Sequence, residues 1–88
     1  MTTLFKKSFL KSIETLNNKK LREVVLNCIK EVEQATAIHN IANIKKLKGH
    51  RDYYRIRIGN YRIGLKLESD VIIFVVFEDR KDVYKNFP

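Results

Sequence analysis

The chain is poor in the residues that punctuate or cross-link a fold: one cysteine, one proline and three glycines in 88 positions, and no tryptophan. A single thiol, Cys28, excludes an internal disulfide and suits a reducing compartment. So little proline and glycine leaves no stretch for a flexible linker, and 44% apolar with 32% charged residues is the balance of a globular rather than a disordered chain. Long apolar runs are also missing. The longest, Val71 to Phe77, is too short to span a bilayer, and MTTLFKKSFLK lacks the apolar segment of a signal peptide. The expectation is one domain over residues 1–88, soluble and cytoplasmic, with no membrane partner. Such a domain buries a single modest core without a deep enclosed pocket, which argues against a large cofactor. No CxxC, HExxH, Walker or GxGxxG pattern occurs, and His39 and His50 have no partners at ligand spacing, so metal, nucleotide and flavin chemistry have no support. Each of the two is read as a loop or surface histidine.

What the chain does have is positive charge, gathered in its middle. The net charge is +8, and Ile44 to Lys66 alone holds Lys45, Lys46, Lys48, Arg51, Arg55, Arg57, Arg62 and Lys66 against Asp52. The 22 residues that follow are net acidic. A concentrated basic segment is the electrostatic footprint of a nucleic-acid binder or of a protein with an acidic partner.

Within that segment, YYRIRIGNYRIGLK (Tyr53 to Lys66) reads as a β-hairpin turning at Gly59-Asn60, a pair suited to the positive φ of tight β-turns. The register follows, with Ile58 opposite Tyr61, Arg57 opposite Arg62, Ile56 opposite Ile63, Arg55 opposite Gly64 and Tyr54 opposite Leu65. Period-two alternation puts Tyr54, Ile56, Ile58, Tyr61, Ile63, Leu65 and Leu67 on one face and Arg55, Arg57, Arg62 and Lys66 on the other. Like charges directly across a strand pair cost up to roughly 1 kcal/mol, so the Arg57/Arg62 pairing works against the fold. Such conflicts mark functional sites. A polyanion across this face would relieve it, with Gly64 leaving room for a backbone or base. A face serving solubility alone carries mixed signs, whereas the guanidinium fork matches phosphate oxygens.

The remaining elements follow from spacing. Thr2 to Phe5 is a short strand, and Phe9 to Leu16 a helix with Phe9, Ile13 and Leu16 on one stripe and Ser8 as a nearby cap. Asn17-Asn18 ends it. From about Lys20 to Ala35, Leu21, Val24, Val25, Cys28, Ile29 and Val32 mark a longer helix, which places Cys28 in the core. Ile38, Ile41, Ile44 and Leu47 anchor an irregular segment. Glu68-Ser69-Asp70 turns the chain into VIIFVVF, apolar on both faces and therefore an interior strand covered on both sides, with either the basic face partly roofed there or a partner protein covering it. The fold class is α+β, an N-terminal helical hairpin packed on one face of a three- to four-stranded, mainly antiparallel sheet whose basic side stays open.

LKG (Leu47 to Gly49), YRIRIGNYRIG (Tyr54 to Gly64), the apolar strand, DRKDVY (Asp79 to Tyr84) and FKKSFLKSIETL together resemble the RelE/ParE superfamily of bacterial toxin-antitoxin toxins, closest to its RelE-like mRNA interferase branch. The resemblance covers nearly the whole chain. It implies a toxin that inhibits translation by cleaving mRNA in the ribosomal A site without a metal or other cofactor, the ribose 2′-hydroxyl attacking the adjacent phosphate. It further implies a cognate antitoxin protein as partner. The family's catalytic positions fall on Arg55, Arg57, Arg62, Arg80 and Tyr84, with arginine where the family has lysine at the first two. Tyr84 is then the base, the hairpin arginines stabilise the phosphorane-like transition state, and Arg80 stabilises the leaving oxygen by charge. Lys45, Lys46, Lys48, Arg51 and Lys66 are the expected RNA-binding residues. Glu78 and Asp79 depart from the family pattern, because they put negative charge just before Arg80. Two other readings stay open: a ParE-like DNA gyrase inhibitor, and a catalytically inactive module that binds RNA or antitoxin.

Overall fold

The computed structural model describes residues 1–88. Five strands, β1 (Thr2–Phe5), β2 (Ile44–Lys46), β3 (Tyr53–Ile58), β4 (Tyr61–Glu68) and β5 (Val71–Asp79), form one sheet in the order β1-β5-β4-β3-β2. The helices are α1 (Lys7–Glu14), α2 (Lys19–Gln34) and α3 (Arg80–Asn86), with a 3-10 turn at Ile38–Asn40. No helix is long and apolar enough to cross a membrane. All pairings are antiparallel except β1 with β5, which is parallel.

The fold class is as expected and the hairpin register agrees at every pair, including Arg57 with Arg62. Two features of the turns differ in detail. Gly59 alone has positive φ (56°) at the β3–β4 turn, Asn60 does not, and the β4–β5 turn places both Ser69 and Asp70 there. The strand count is five rather than three to four, because Ile44–Lys46 pairs with β3 as a short edge. Three residues with two lysines carry too little period-two signal to stand out in sequence, and lysine on an edge strand discourages further pairing.

The helical hairpin covers the aliphatic face. Phe9, Val25 and Val32 from the helices meet Ile56, Ile63, Leu65, Ile72, Phe74 and Phe77 from the sheet, all at 3% exposure or less. Val24, expected on the buried stripe, is 43% exposed because it lies at the stripe's edge. Asn18 ends the interhelical turn by capping α2, its Oδ1 accepting from the Leu21 amide at 3.0 Å. Ser8 is not a cap. Lys6 holds that position without a side-chain bond, and the Ser8 hydroxyl donates to the Val75 carbonyl. That carbonyl sits at an irregularity of β5: Leu65 pairs with Phe74 but Gly64 with Val76, so Val75 is the extra residue of a bulge. The bulge lets Phe74 and Phe77, three apart, both face the helices.

The basic face of the sheet does not stay open along its length. The C-terminal tail, polar in sequence apart from Val83, Tyr84 and Phe87, forms α3 and packs Val83 and Phe87 with Leu47 against Val75, Val76 and Tyr53. Here lies the cover that the doubly apolar β5 required. Gly64 therefore admits Phe87 rather than a ligand, since a Cβ at Gly64 would lie 2.9 Å from the Phe87 ring.

Two outcomes follow from this packing. Gly64→Ala should lower stability by about 1–3 kcal/mol through overpacking, and the loss should shrink in the Gly64→Ala/Phe87→Ala pair, as read from urea denaturation of a double-mutant cycle. Burial, with the Glu31 carboxylate adding to it, pushes the Cys28 thiol from 9.0 up to about 11. The folded state then keeps a proton that the unfolded state loses, so this contribution is intact below pH 9 and is lost as pH rises toward 11. The stability difference between wild type and Cys28→Ala should narrow over that window in urea titrations.

Candidate functional site

Lys45 from β2, Arg55 and Arg57 from β3, Arg62 from β4 and Tyr84 from α3 line one cavity of about 350 Å³, completed by Asn43 and Ile44. Strand alternation aims the four cations. Because Ile56 and Ile63 are buried under the helices, their neighbours Arg55, Arg57 and Arg62 must emerge on the opposite face. The register opposes Lys45 to Arg55 and Arg57 to Arg62, so two like-charged pairs adjoin, and no carboxylate lines the cavity.

Arg62 is held in place. Its Nη1 donates to the Gly59 carbonyl at 2.8 Å and the Tyr61 carbonyl at 2.9 Å, fixing one edge of the guanidinium to the hairpin turn. Arg55 is half-buried, and its Cζ lies 5.0 Å from the centre of the Tyr84 ring. A cation over an aromatic face at an exposed site is worth about 0.5–1 kcal/mol. Tyr84 itself is 62% exposed, while its neighbour Val83 is fully buried against the sheet. Anchoring by Val83 and Phe87 thus turns the adjacent phenol toward the arginines. The Asp79 carboxylate starts α3 by accepting from the Lys81 amide at 2.9 Å, so one of the two acidic departures serves as a helix cap. The other, Glu78, is the register partner of Arg62 on β5 and accepts from Asn86 Nδ2 at 3.4 Å.

The remaining predicted residues lie outside the cavity. Arg80 is exposed at the start of α3, one helical turn before Tyr84, and its backbone amide donates to Asn60. Lys46 is exposed on β2, and Lys48 and Arg51 are exposed in the β2–β3 connection, Arg51 lying 4.0 Å from Asp52. Lys66 shares the arginines' face of the sheet but sits far along β4. There its ammonium meets Glu68 at 3.3 Å and lies 5.6 Å from the Tyr53 ring centre, and the hydrogen bond to Glu68 raises its pKa. Of the ten expected residues, the fold gathers Lys45, Arg55, Arg57, Arg62 and Tyr84.

Asn43 and Ile44 went unnoticed as lining residues in the sequence. Asn43 takes φ of 61°, a left-handed conformation that asparagine tolerates better than most residues, and its carbonyl accepts from the Arg57 amide at 3.2 Å. The one sequence signal was its residue type, an asparagine just before an anchoring isoleucine.

No family model matches the chain. It is 38% identical over its full length, and over the full length of the relative, to Toxin RelE3 of Methanocaldococcus jannaschii. The toxin in the RelB-RelE antitoxin-toxin complex of Methanococcus jannaschii superposes with a TM-score of 0.81 at 38% identity, covering 97% of this chain and 99% of that one. The archaeal RelE-RelB complex of Pyrococcus horikoshii (TM-score 0.72, 23% identity, 90% and 93% covered) and the intact E. coli RelBE complex (0.70, 24%, 89% and 94%) share the fold. With that degree of identity from end to end, the chain belongs to the RelE family of toxins.

Proposed function

We propose that this protein is the toxin of a type II toxin-antitoxin system and acts as a metal-independent, ribosome-dependent endoribonuclease on mRNA. One observation carries the reading: a phenol held beside Arg55 within a cavity whose only charged side chains are cations. In the reaction, the ribose 2′-oxygen forms a bond to the adjacent phosphorus as the bond to the 5′-oxygen breaks, leaving a cyclic phosphate and a 5′-hydroxyl. Tyr84 is the base that takes the 2′ proton, and the departing oxygen receives one from solvent. Negative charge accumulates on the phosphoryl oxygens between these events. Cations already in position stabilise it by several kcal/mol where water is excluded, and here Lys45, Arg55, Arg57 and Arg62 supply them. Docking on a ribosome would shut out solvent from a cavity that this small fold leaves open. Arg80, one turn before Tyr84 and on the same side of α3, adds positive charge for the leaving group.

The solved relatives carry RelB antitoxins, which supports a cognate antitoxin for this chain. An acidic or amphipathic segment of that partner laid over the cationic face would neutralise it, and exposed Leu10, Val24 and Leu26 on the helices, which cover the other face of the sheet, offer apolar anchors to the rest of a partner that wraps around the toxin.

Translating ribosomes incubated with the protein should yield cut mRNA with 2′,3′-cyclic ends. Tyr84→Phe should slow cleavage roughly 10²- to 10⁴-fold, the usual cost of losing a general base, and Arg62→Ala should abolish detectable cutting. Inhibition of DNA supercoiling that survives Tyr84→Phe, with mRNA intact, would refute the ribonuclease reading. Asp79→Ala, which removes the α3 cap at a cost of about 1 kcal/mol, should reduce cleavage while RNA binding, read by anisotropy, changes little.

A further inference from the structure

A second cavity, of about 360 Å³, opens between α2 and the end of β3, and it shares Asn43 and Arg57 with the cationic one. Its character is different. Val24, Ile56 and Ile58 give it apolar walls, while Asn27, Glu31 and Asn43 give it neutral amides and one carboxylate. Glu31 and the two amides belong to exposed residues and make no side-chain hydrogen bond or ion pair within the protein, so they are free to exchange solvent for a ligand. A volume at the low end of roughly 300–1,000 Å³ with apolar walls and a few polar groups is the general form of a small-ligand site. The carboxylate argues against a phosphate here, and the shared Arg57 argues for a ligand that continues from the phosphate site next door.

We infer that this groove is a nucleobase site, which receives the base attached to the phosphate held in the cationic cavity and favours guanine. A carboxylate only accepts hydrogen bonds. Among the standard bases, guanine alone offers two adjacent N–H donors, N1–H and the 2-amino group, which a carboxylate can engage as a pair. Glu31 supplies that acceptor, Asn27 and Asn43 supply groups able both to donate and to accept, and Arg57, which lines both cavities, marks where a ligand passes from one to the other. Asn43 is the hinge of the arrangement. Its left-handed backbone, stabilised by the carbonyl contact to Arg57, sets an amide at the boundary between the two cavities. The inference rests on the ribonuclease reading for its biological meaning, but the binding it requires is independent of cleavage.

The test uses the free protein, with guanosine 5′-monophosphate and ribose 5-phosphate as probes, followed by amide chemical shifts. Guanosine monophosphate should shift Asn27 and Glu31 as well as the shared Asn43 and Arg57, whereas ribose 5-phosphate should shift the cationic cavity, Asn43 and Arg57 included, and leave Asn27 and Glu31 unmoved. Glu31→Gln separates base reading from simple charge. Removing a carboxylate makes the site more positive, so electrostatics alone tightens every anion, yet loss of the paired acceptor should weaken guanosine monophosphate by roughly tenfold while ribose 5-phosphate binds as well or better. Asn43→Gly, which retains access to the left-handed backbone, should weaken the guanine ligand in the same selective way. The inference is overturned if guanosine monophosphate leaves the groove unshifted, or if Glu31→Gln tightens both probes alike. It is equally overturned if a leucine- and glutamate-rich peptide shifts the groove and nucleotides do not. The separate ribosome assay reports on the ribonuclease reading, so failure of either is seen on its own.

Discussion

Burial of alternate residues in one β-hairpin governs both the stability of this protein and the position of its cations. Ile56, Ile63 and Leu65 are sealed beneath the helical hairpin, and a strand cannot bury one set of side chains without presenting the other set outward. Each buried aliphatic side chain contributes on the order of 1.5–3 kcal/mol. The adverse pairings of Lys45 with Arg55 and Arg57 with Arg62 cost less than this burial supplies, roughly 1 kcal/mol each at most. The core therefore holds the cationic face in place against its own repulsion.

The opposite face of the sheet depends on a second, smaller core. β5 is apolar on both sides, and its bulge at Val75 sends Phe74 and Phe77 to the helices while Val75 and Val76 meet α3. Phe87 rests on Gly64, and Val83 is fully buried beside it. Tyr84 is carried between these two anchors, on the side of α3 from which it reaches Arg55. A glycine that reads as space for a ligand is thus space for the protein's own C-terminal ring, which in turn positions the phenol.

Charge is distributed with the same economy. Asp79 satisfies the start of α3, and Glu78, although it neighbours Arg62 across the strands, bonds Asn86 and stays off the cavity lining. Both acidic residues are engaged with the helix that brings Tyr84 to the site. On the far side of Asn43 and Arg57 the surface changes from wholly cationic to mixed, with Glu31 in the groove.

Local pattern alone determined the helical hairpin, the β3–β4 register, the Ser69-Asp70 turn and the sorting of aliphatics from arginines, because each follows from a short-range period or a turn residue. Residue type and order also carried the family resemblance. Tertiary structure decided the rest. The edge strand β2 forms because β3 is there to pair with it, the tail becomes α3 because Val83 and Phe87 find Leu47 and Gly64, and the selection of Lys45 over Lys46, Lys48 and Arg51 at the cavity depends on which backbone lies beside Arg55. The bulge at Val75 and the left-handed turn at Asn43 belong to this second group as well. Contacts between residues far apart in the chain leave no periodic trace in it, so the meeting of Tyr84 with Arg55 is a property of the packed fold.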